Sequence, residues 1–539
     1  MNSTADDILQ GLDEAQRTAA TTVHGPVRII AGAGAGKTRT VTRRIAYACA
    51  SGAWDPAGTL AVTFSVKAAA EMRSRLGRLG VGDAVRAATF HSAALSQLRH
   101  VWEDICDAPF PHVADDQEPR RLVDTALQRV CGGATNGEPA DMLTVRDVQA
   151  EINWAKVSLI APDDYQRVCA ATHRRPPAGL DPQRFADVYL AYEQEKTARG
   201  LIDFDDILLI ACHVLDEFDE AAESIRRSIR WLTVDEYQDV SPLQHRLMTL
   251  WLDDNRNVCV VGDPAQTIYS FAGASSYDLL AFADQFGKPA ADVSLNTDYR
   301  STPQIVAYAN RVLAKSPVRQ DYLRLTSARQ DGARVAHTVY DTDADEARGV
   351  AGRLARLVRQ GVNPADCAVL TRINAQQRAV CAALREAGLR YRVRRDAGWS
   401  GAGADLAEDA VARQALMDAL AAGERPGSGG RDGAAGAGGV DGDGHGDGAG
   451  AGRGAVAALG AVTVSTVHAS KGLEFRHVFV IGCSEGLMPY GSPAGGDALE
   501  EERRLMYVAV TRAEDSLHMS YARTKDGAGG RPRTVSRFL

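Results

Sequence analysis

The segment 29–40, IIAGAGAGKTRT, constrains the fold of this chain more than any other. An apolar run followed by glycines and then Lys-Thr is typical of a strand that leads through a phosphate-binding loop into a helix. Lys37 is expected to reach the terminal phosphoryl oxygens, and the Thr38 hydroxyl is expected to ligate Mg²⁺. The backbone N–H groups expected to cradle the phosphates are those of Ala33, Gly34, Ala35 and Gly36. The sequence therefore predicts a nucleotide-binding protein whose helix, starting near Thr38, points its positive end at the ligand.

Length and cysteine content favour an intracellular protein of several domains. The 539 residues suggest about three or four compact units. The nine cysteines stand far apart without a C-x-x-C pair, which favours a reducing compartment and argues against a zinc or iron–sulfur site. Apolar runs such as 207–214 are too short to cross a bilayer, and the first ten residues lack a signal-peptide pattern. We therefore expect a soluble cytoplasmic protein with no membrane partner.

The net charge of −8 does not exclude a nucleic-acid partner, because the local field in a groove decides that binding. Basic clusters occur within residues 73–78, 173–175 and 390–395. Each cluster taken alone is better explained as a solvated helix face.

Apolar segments that read as strands recur along the chain with helical stretches between them. They are residues 27–31, 60–64, 231–234, 258–261, 368–371, 461–466 and 478–481. This alternation predicts an α/β fold of parallel sheets, with sites at the carboxyl ends of the strands. Residues 99–199 lack clear strands and are predicted to be a helical insertion. The Gly-rich tract within residues 398–454 is predicted to be a disordered linker, because it can bury too little apolar surface to fold.

The segment WLTVDEYQD, residues 231–239, places two adjacent carboxylates after a hydrophobic strand. Asp235 is expected on the metal side, and Glu236 is expected to act as the catalytic base on an attacking water. An Asp-Glu pair by itself is usually surface charge. Here the pair ends a buried strand some two hundred residues after a phosphate-binding loop, which favours phosphoryl transfer to water.

A further strand end carries VVGDPAQTIYSFAGA, residues 260–274. Gln266 has the chemistry to sense a γ-phosphate by hydrogen bonding. Tyr269 and Phe271 offer aromatic faces on which bases can stack, and such stacking contributes about 1–3 kcal/mol per base on any sequence. Either ring alone would more simply be explained as core filler.

Taken in order, these segments resemble superfamily 1 helicases of the UvrD/Rep/PcrA type, and the resemblance covers nearly the whole chain. The segments that carry it are LDEAQRTAA, AGAGAGKT, TFSVKAAAEMRSRL, ATFHSAAL, LIDFDDIL, VDEYQD, GDPAQTIYSFAGA, LNTDYRS, TVSTVHASKGLEF and EEERRLMYVAVTRA. The resemblance implies an ATP-dependent motor with Mg²⁺ as cofactor. It also implies binding of single-stranded DNA and single-strand/duplex junctions, with movement from 3′ to 5′.

The resemblance assigns further residues to the nucleotide. Gln16 would contact the adenine edge, Arg39 would contact the nucleotide, and Glu474 would approach the ribose. Tyr299 would stack on adenine. Arg300 and Arg512 would contact the γ-phosphate as arginine fingers. Lys37, Glu236 and Gln266 complete the predicted catalytic set, and the two arginines lie in the other half of the chain, so that ATP is expected to close a cleft between the halves.

The resemblance also nominates residues for DNA. Phe64 and His91 are implied by the two motifs that follow the phosphate-binding loop, and His468 and Lys471 by TVHASKGLEF. Tyr269 and Phe271 join this set.

The same resemblance implies a domain organisation. A first RecA-like domain would comprise residues 1–98 and 200–293, with the helical insertion at 99–199. A second RecA-like domain would comprise residues 294–396 and 456–539. Residues 397–455 would form a Gly-rich remnant in place of the family's inserted domain 2B.

The chain departs from the family pattern at three places. GDPAQ and Phe271 replace the usual acidic motif and its tryptophan, domain 2B is largely missing, and the segment ARTKDGAGGRPRT from Ala522 has no aromatic residue at its predicted hairpin tip. The closing RPRTVSRFL resembles the end of the motor core in an actinobacterial UvrD-like branch.

Three functions remain open from the sequence. The first is a DNA helicase, acting in DNA repair in a bacterial, nucleoid-associated setting with a possible accessory repair protein. The second is a translocase that displaces bound proteins from single strands without efficient unwinding, favoured by the missing domain 2B and the plain hairpin. The third, a non-catalytic DNA-binding relic, would predict loss of Lys37, Glu236 or Arg512, and all three are present.

Overall fold

The computed structural model describes residues 5–82, 84–115, 117–132, 141–394, 460–525 and 532–539. These residues form two six-stranded parallel sheets with helices packed on them, and two short two-stranded pairs. The strands are β1 Val27–Ala31, β2 Thr59–Thr63, β3 Arg86–Thr89, β4 His112–Val113, β5 Leu201–Ile202, β6 Trp231–Val234, β7 Val258–Gly262, β8 Ala291–Leu295, β9 Thr297–Asp298, β10 Thr326–Ser327, β11 Ala336–Thr342, β12 Cys367–Thr371, β13 Tyr391–Arg394, β14 Val462–Thr466, β15 Phe475–Val480 and β16 Ala513–Thr524. The α-helices are Ala5–Ile8, Glu14–Thr21, Lys37–Ala50, Val66–Arg78, Phe90–Ile105, Glu118–Cys131, Met142–Val157, Pro162–Thr172, Pro182–Ala198, Phe204–Glu217, Asp219–Arg227, Pro242–Leu252, Tyr277–Leu280, Phe282–Phe286, Pro303–Ala314, Asp343–Arg359, Asn374–Glu386 and Gly496–Val510. The predicted α/β fold with two RecA-like parallel sheets is confirmed.

The first sheet has the strand order β3-β2-β6-β7-β1-β8, and all its pairs are parallel. Strands β1, β2, β6 and β7 carry apolar segments predicted as strands, and they form the interior of the sheet. Because β6, β7 and β1 are neighbours, the loops after their carboxyl ends meet at one edge. Those loops hold the Asp235–Glu236 pair, Gln266 and the phosphate-binding loop.

The second sheet has the order β11-β16-β15-β12-β14-β13 and is also parallel throughout. Three of its four interior strands, β12, β14 and β15, contain the remaining predicted apolar segments, and the fourth is β16. Glu474 and Arg512 immediately precede β15 and β16, so both residues lie at the amino edge of this sheet. We call residues 5–295 the first lobe and residues 296–539, where described, the second lobe.

Where it is described, the segment 99–199 consists of helices and loops apart from β4, which pairs with β5 just after the segment. Its helices enclose an apolar core of their own, which includes Val123, Tyr165 and Phe185. Helix Phe90–Ile105 runs across the predicted domain division at residues 98–99. Strand β8 similarly runs across the predicted division at residues 293–294, because Leu295 still pairs with Ala31 of the first sheet.

One apolar cluster joins the two lobes. Ala33, Ala265 and Ile268 of the first lobe are buried in the same cluster as Met506 and Tyr507 of the second. The carboxyl edge of the first sheet therefore rests against helix Gly496–Val510, which leads directly to Arg512.

Among the described residues, none of the helices combines the length and the apolar character needed to cross a bilayer. The predicted Gly-rich remnant at residues 397–455 and the predicted hairpin tip at residues 526–531 lie outside the described residues.

Candidate active site and nucleic-acid interface

The phosphate-binding loop follows β1 as predicted from the sequence. Gly36 has φ +77° and caps helix Lys37–Ala50, and Gly34 has φ +71°. A Cβ at Gly34 would lie 2.0 Å from Asp298 Oδ1, so glycine is required there for its conformation and for space. Lys37 Nζ donates to the Ala31 carbonyl at 3.3 Å, which keeps the ammonium group at the loop.

Two of the four N–H groups predicted to cradle phosphates already have partners. The Ala33 N–H donates to the Tyr507 hydroxyl at 3.4 Å, across the lobe interface. The Ala35 N–H donates to the Gly32 carbonyl within the loop itself.

The two predicted acids stand at the end of β6. Asp235 is buried, and burial together with the Glu236 carboxylate raises its pKa to about 7. Burial acts in the same direction on Glu236, but the ammonium groups of Lys37 and Lys471 outweigh it and hold the pKa of Glu236 below its ordinary value. Glu236 has φ +54°, a left-handed conformation that non-glycine residues seldom adopt and that is frequent at active sites.

Gln266 lies in the turn Pro264–Gln266 after β7 and is buried. Its Nε2 donates to Asp263 Oδ2 at 2.7 Å, which leaves Oε1 turned towards the second lobe. Arg512 Nη2 lies 3.5 Å from that oxygen. The structure thus brings together these two predicted catalytic residues from opposite halves of the chain.

Arg512 itself is buried and held by backbone carbonyls. Its Nη1 donates to Leu473 O at 2.8 Å and its Nε to Val508 O at 3.2 Å. Burial, with a contribution from Arg300, lowers the pKa of Arg512 to about 10, so the guanidinium remains charged at neutral pH. Arg300 forms an ion pair with Glu474.

The residues predicted to hold the base lie on the other side of the loop. Gln16 is buried, with Nε2 donating to Ala35 O at 3.0 Å and Oε1 accepting from Asp13 N at 3.2 Å. The Tyr299 hydroxyl donates to Asp13 Oδ2 at 2.5 Å, while the Tyr299 N–H donates to Gly34 O at 3.0 Å. The Gln16 amide is therefore engaged by the protein itself in this state.

Arg39 Nη2 donates to Gly11 O at 2.9 Å, beside the same helix N-terminus. A cleft of about 460 Å³ opens next to the phosphate-binding loop, between the lobes. Its lining residues are Gly34, Tyr299, Arg300, Arg329, Glu474, Arg476, Glu514 and Asp515. Three of the predicted nucleotide-binding residues of the second lobe thus face one cavity.

The predicted aromatic residues form a continuous group across the lobe interface. The rings of Phe64 and Tyr269 stack at 5.7 Å with an interplanar angle of 10°. Phe271 meets Tyr269 edge-on at 6.0 Å and His468 edge-on at 5.9 Å. Phe271 is 60% exposed, which does not fit the alternative that it fills a core.

Two second-lobe residues predicted to face DNA have partners inside the protein. Lys471 forms an ion pair with Asp239 and donates to Gln266 O at 2.6 Å. The His468 carbonyl accepts from the Tyr269 hydroxyl at 3.2 Å, and burial lowers the pKa of the His468 ring to about 3. His468 is therefore neutral at physiological pH, and a DNA contact by either residue stays a prediction.

His91 lies apart from this aromatic group and stacks on Phe204 at 3.8 Å. Phe204 is 44% exposed at the start of helix Phe204–Glu217, and the sequence analysis did not single it out. The available signal was an aromatic residue within LIDFDDIL, directly after the aspartate that caps the helix.

Helix Gly496–Val510 supplies further contacts that the sequence analysis did not assign. Arg504 Nε donates to Thr267 O at 2.6 Å, and Glu501 Oε1 accepts from Ser270 N at 3.2 Å. Glu501, Arg504 and Tyr507 are spaced three residues apart, so they lie on one helix face, and this periodicity was visible in EEERRLMYVAV.

Among the described residues, Glu193, Asp203 and Asp206 form a carboxylate cluster close enough to hold a metal ion. The ammonium groups of Lys156 and Lys196 already pair with it: Lys156 lies 2.6 Å from Asp203, and Lys196 lies 3.1 Å from the same carboxylate. The cluster is thus a buried ion-pair network and not a metal centre.

These features define a class: a two-lobed protein with a P-loop, in which Arg504 and Arg512 of the second lobe contact the first. The chain belongs to the UvrD/REP helicase family. Residues 12–287 match the UvrD/REP helicase N-terminal domain, and residues 293–397 and 453–524 match the UvrD-like helicase C-terminal domain.

Individual relatives agree with this assignment. The chain is 39% identical to the ATP-dependent DNA helicase UvrD2 of Mycobacterium tuberculosis, over 100% of this chain and 82% of the relative. It is 32% identical to the ATP-dependent DNA helicase PcrA of Bacillus subtilis, over 73% of this chain and 51% of the relative. The PcrA of Staphylococcus aureus is 31% identical over 69% of this chain and 49% of the relative.

Proposed function

We propose that this protein is an ATP-dependent DNA helicase that moves 3′ to 5′ on single-stranded DNA and couples hydrolysis to duplex unwinding. The observation that carries the proposal is the approach of Arg512 Nη2 to Gln266 Oε1 at 3.5 Å. A buried cation of the second lobe lies beside Gln266 of the first, and Gln266 is the residue that we propose senses the γ-phosphate. Hydrolysis then requires both lobes, which is the requirement for a motor driven by closure of a cleft.

The residues around the proposed phosphate site each have a role in this mechanism. The loop amides and Lys37 bind the phosphates, and Glu236 orients and deprotonates the attacking water. Arg512 stabilises the charge that develops on the transferred phosphoryl group. Arg300 exchanges its ion pair with Glu474 for the γ-phosphate when ATP enters, which frees Glu474 for the ribose.

Mg²⁺ would be held by the Thr38 hydroxyl and the Asp235 carboxylate, and when bound it would neutralise phosphate charge. Asp235 fits this role because it is a buried carboxylate beside a second carboxylate. Burial disfavours its charged form, as the raised pKa shows, and a divalent cation would restore that form.

The proposed path for single-stranded DNA runs over Phe64, Tyr269 and Phe271. Stacking on aromatic faces tolerates any base sequence, as a motor requires, and contributes about 1–3 kcal/mol per base. Because the Tyr269 hydroxyl donates a hydrogen bond to the His468 carbonyl of the second lobe, movement of the lobes would change the spacing of these rings. Single-strand/duplex junctions are the proposed entry sites.

A translocase that strips bound proteins without efficient unwinding is the second candidate. Two sequence features favour it: residues 396–462 are short for an inserted duplex-gripping domain, and the segment from Ala522 to Thr534 has no aromatic residue at its tip. Either feature weakens the means of separating strands, not the means of moving along one.

The two candidates are separated by paired assays on the same preparation. The first measures unwinding of forked duplexes with a 3′ or a 5′ single-stranded tail, and the second measures displacement of streptavidin from biotinylated single strands. Helicase activity predicts unwinding of the 3′-tailed fork, and Lys37→Ala controls for contaminating activity. Displacement without unwinding would favour the translocase, and unwinding of only the 5′-tailed fork would contradict the direction.

A role in DNA repair, a cytoplasmic, nucleoid-associated location and an accessory repair protein belong to the same proposal. They are supported by membership of the UvrD/REP helicase family.

A further inference from the structure

Gln238 lies between the predicted catalytic base and the second lobe, although no role was assigned to it above. It belongs to the turn Tyr237–Asp239 after β6 and is fully buried. Its Nε2 donates to Glu236 Oε2 at 2.6 Å and to Asp239 Oδ2 at 3.2 Å. One amide group is thus shared between two carboxylates.

The orientation of this amide is fixed by its other end. Gln238 Oε1 accepts from the Asp263 N–H at 2.9 Å, and it lies 2.7 Å from where a Cβ of Gly262 would stand. Because Oε1 is held by a backbone donor in a tight space, the NH₂ group must face Glu236 and Asp239. A rotation that exchanged the two ends would point an acceptor at two carboxylates and leave the Asp263 N–H without its bond.

Asp239 connects this amide to the second lobe. Its buried carboxylate forms an ion pair with Lys471, and the oxygen that accepts from Lys471 is the same Oδ2 that accepts from Gln238. Lys471 also donates to Gln266 O at 2.6 Å, which anchors it at the lobe interface. A continuous series of hydrogen bonds therefore runs from Lys471 through Asp239 and Gln238 to Glu236.

We propose that Gln238 is a positioning residue that couples the arrangement of the lobes, through Lys471 and Asp239, to the orientation of the catalytic base Glu236. When Lys471 is seated, its charge compensates Asp239, and the Gln238 amide gives its shorter bond to Glu236. When the second lobe moves and withdraws Lys471, Asp239 becomes a buried carboxylate that lacks its cation. Such a group attracts the nearest remaining donor strongly, so the amide shifts towards Asp239 and releases Glu236.

The consequence concerns regulation of hydrolysis. DNA that holds the lobes together would keep Glu236 oriented, and turnover without DNA would be slow. This inference rests on the proposed function, because it explains how DNA would stimulate ATP hydrolysis at the proposed site.

The test compares the unaltered protein with Gln238→Ala for ATP turnover, with and without oligo(dT). We expect DNA-stimulated kcat to fall about 10- to 100-fold, because misplacement of a catalytic group by about 1 Å has effects of that size. The KM for ATP and the affinity for a fluorescent ATP analogue should change less than about twofold, since Gln238 contacts none of the proposed nucleotide-binding residues. The ratio of DNA-stimulated to basal turnover should fall towards one, because DNA could no longer orient Glu236 through Gln238.

Two further variants separate positioning from folding. Gln244→Ala removes another buried glutamine, one that caps helix Pro242–Leu252 and contacts Ser241, and it should lower thermal stability while keeping the stimulation ratio. Asp239→Asn should reduce stimulation as Gln238→Ala does. The combined Gln238→Ala and Asp239→Asn variant should lose no more stimulation than either single variant, because the two residues belong to one series of hydrogen bonds.

The outcomes are distinguishable. Absence of DNA-stimulated turnover in the unaltered protein would overturn the proposed function and this inference with it. Stimulation retained within about twofold in a folded Gln238→Ala protein, or additive losses in the double variant, would overturn this inference alone.

Discussion

At the scale of single residues, Arg512 shows how burial and charge are combined at the site. Its guanidinium is enclosed by carbonyls of its own lobe and still presents Nη2 to Gln266 of the other. With a pKa of about 10 it stays charged at neutral pH. A charge fixed in advance in a dry site stabilises a transition state without reorganisation at the moment of reaction.

Arg512→Ala is therefore expected to lower kcat about 10³-fold while leaving nucleotide affinity nearly unchanged, as for an arginine finger. Steady-state ATPase kinetics with equilibrium binding of an ATP analogue measure the two quantities separately. Arg523→Ala, near the far end of the strand β16 that follows Arg512, is the matched control and should keep full turnover, because Arg523 pairs with the exposed Asp341. Equal losses in turnover and affinity would argue against the role given to Arg512.

Lys37→Ala is expected to abolish DNA-stimulated ATP hydrolysis while the protein stays folded. Lys37 donates to the Ala31 carbonyl in its own loop, so its removal should cost the fold little. Turnover and the thermal melting curve are measured together, with the exposed Lys315→Ala as control. Persistent hydrolysis in the variant would mean that the nucleotide is bound elsewhere.

Asp13 and Tyr299 are expected to act as a pair on base recognition. Their 2.5 Å hydrogen bond joins the start of helix Glu14–Thr21 to the ring proposed to stack on adenine. Tyr299→Phe keeps the ring but removes the bond, and we expect the KM for ATP to rise about tenfold or more, because a hydrogen bond to a charged group contributes about 1.5–3 kcal/mol. Preference for ATP over GTP should decline in parallel.

Asp13→Ala should raise the KM for ATP by a similar factor. The combined Asp13→Ala and Tyr299→Phe variant should raise it no further than either single variant. Additive effects in this cycle would show that the two side chains contribute independently.

At the scale of elements, the predicted strands are all interior strands, and most of the missed ones are edges. β1, β2, β6, β7, β12, β14 and β15 lie inside their sheets, where burial on both faces gives continuous apolar runs. The missed strands β3, β8, β11 and β13 are the edges of the two six-stranded sheets, and the missed β4, β5, β9 and β10 form the two-stranded pairs. An edge strand is covered on one side only, so its residues alternate with polar ones and the apolar signal is diluted, as in Ala336–Thr342.

Strand β16 was missed for a different reason. It is interior, but Glu514 and Asp515 near its start face the cleft between the lobes, and it carries the buried His518. The site was predictable where a residue follows a strand end, as Asp235 does. It was not predictable where a side chain is held by a segment far along the chain, as Lys471 is by Asp239.

Helix Phe204–Glu217 carries a buried aspartate whose titration makes the stability of the fold depend on pH. Beside the Lys156 and Lys196 network, Asp205 is buried, and burial together with Asp203 raises its pKa to about 7. Its unfolded pKa is about 3.9, so the folded state holds the proton more tightly. The contribution of protonated Asp205 to the free energy of unfolding is therefore present in full at low pH. It is lost as the pH rises from about 4 to 7, at up to about 1.4 kcal/mol per pH unit.

Asp205→Asn removes this titration. We expect the variant to melt at a higher temperature than the unaltered protein at pH 8, with a smaller difference at pH 5. Scanning calorimetry at the two pH values measures the effect, and Asp187→Asn, an exposed aspartate of helix Pro182–Ala198, is the control. A difference that does not change with pH would contradict the assignment to Asp205.

At the scale of the whole molecule, the two lobes are in contact through an apolar cluster, polar bonds and the buried Lys471 ion pair. The phosphate-binding loop touches the second lobe through Tyr507, and the ring of Tyr269, which is proposed to face DNA, touches it through His468. The phosphate-binding loop and the aromatic group around Tyr269 therefore both contact the same interface between the lobes. If binding at either side favours one arrangement of the lobes, linkage requires each ligand to alter the affinity for the other.

This architecture predicts that an ATP analogue protects both lobes from amide hydrogen exchange. In the unaltered protein, exchange should slow at residues 32–37 of the first lobe and at residues 299–301 and 511–513 of the second. The combined Arg300→Ala and Arg512→Ala variant should keep protection at residues 32–37, because the loop still binds the phosphates, and lose it in the second lobe. Exchange followed by mass spectrometry measures each segment, with Arg523→Ala as control. Protection confined to the first lobe in the unaltered protein would mean that the nucleotide does not bridge the lobes, and the closure of the cleft would then need another cause.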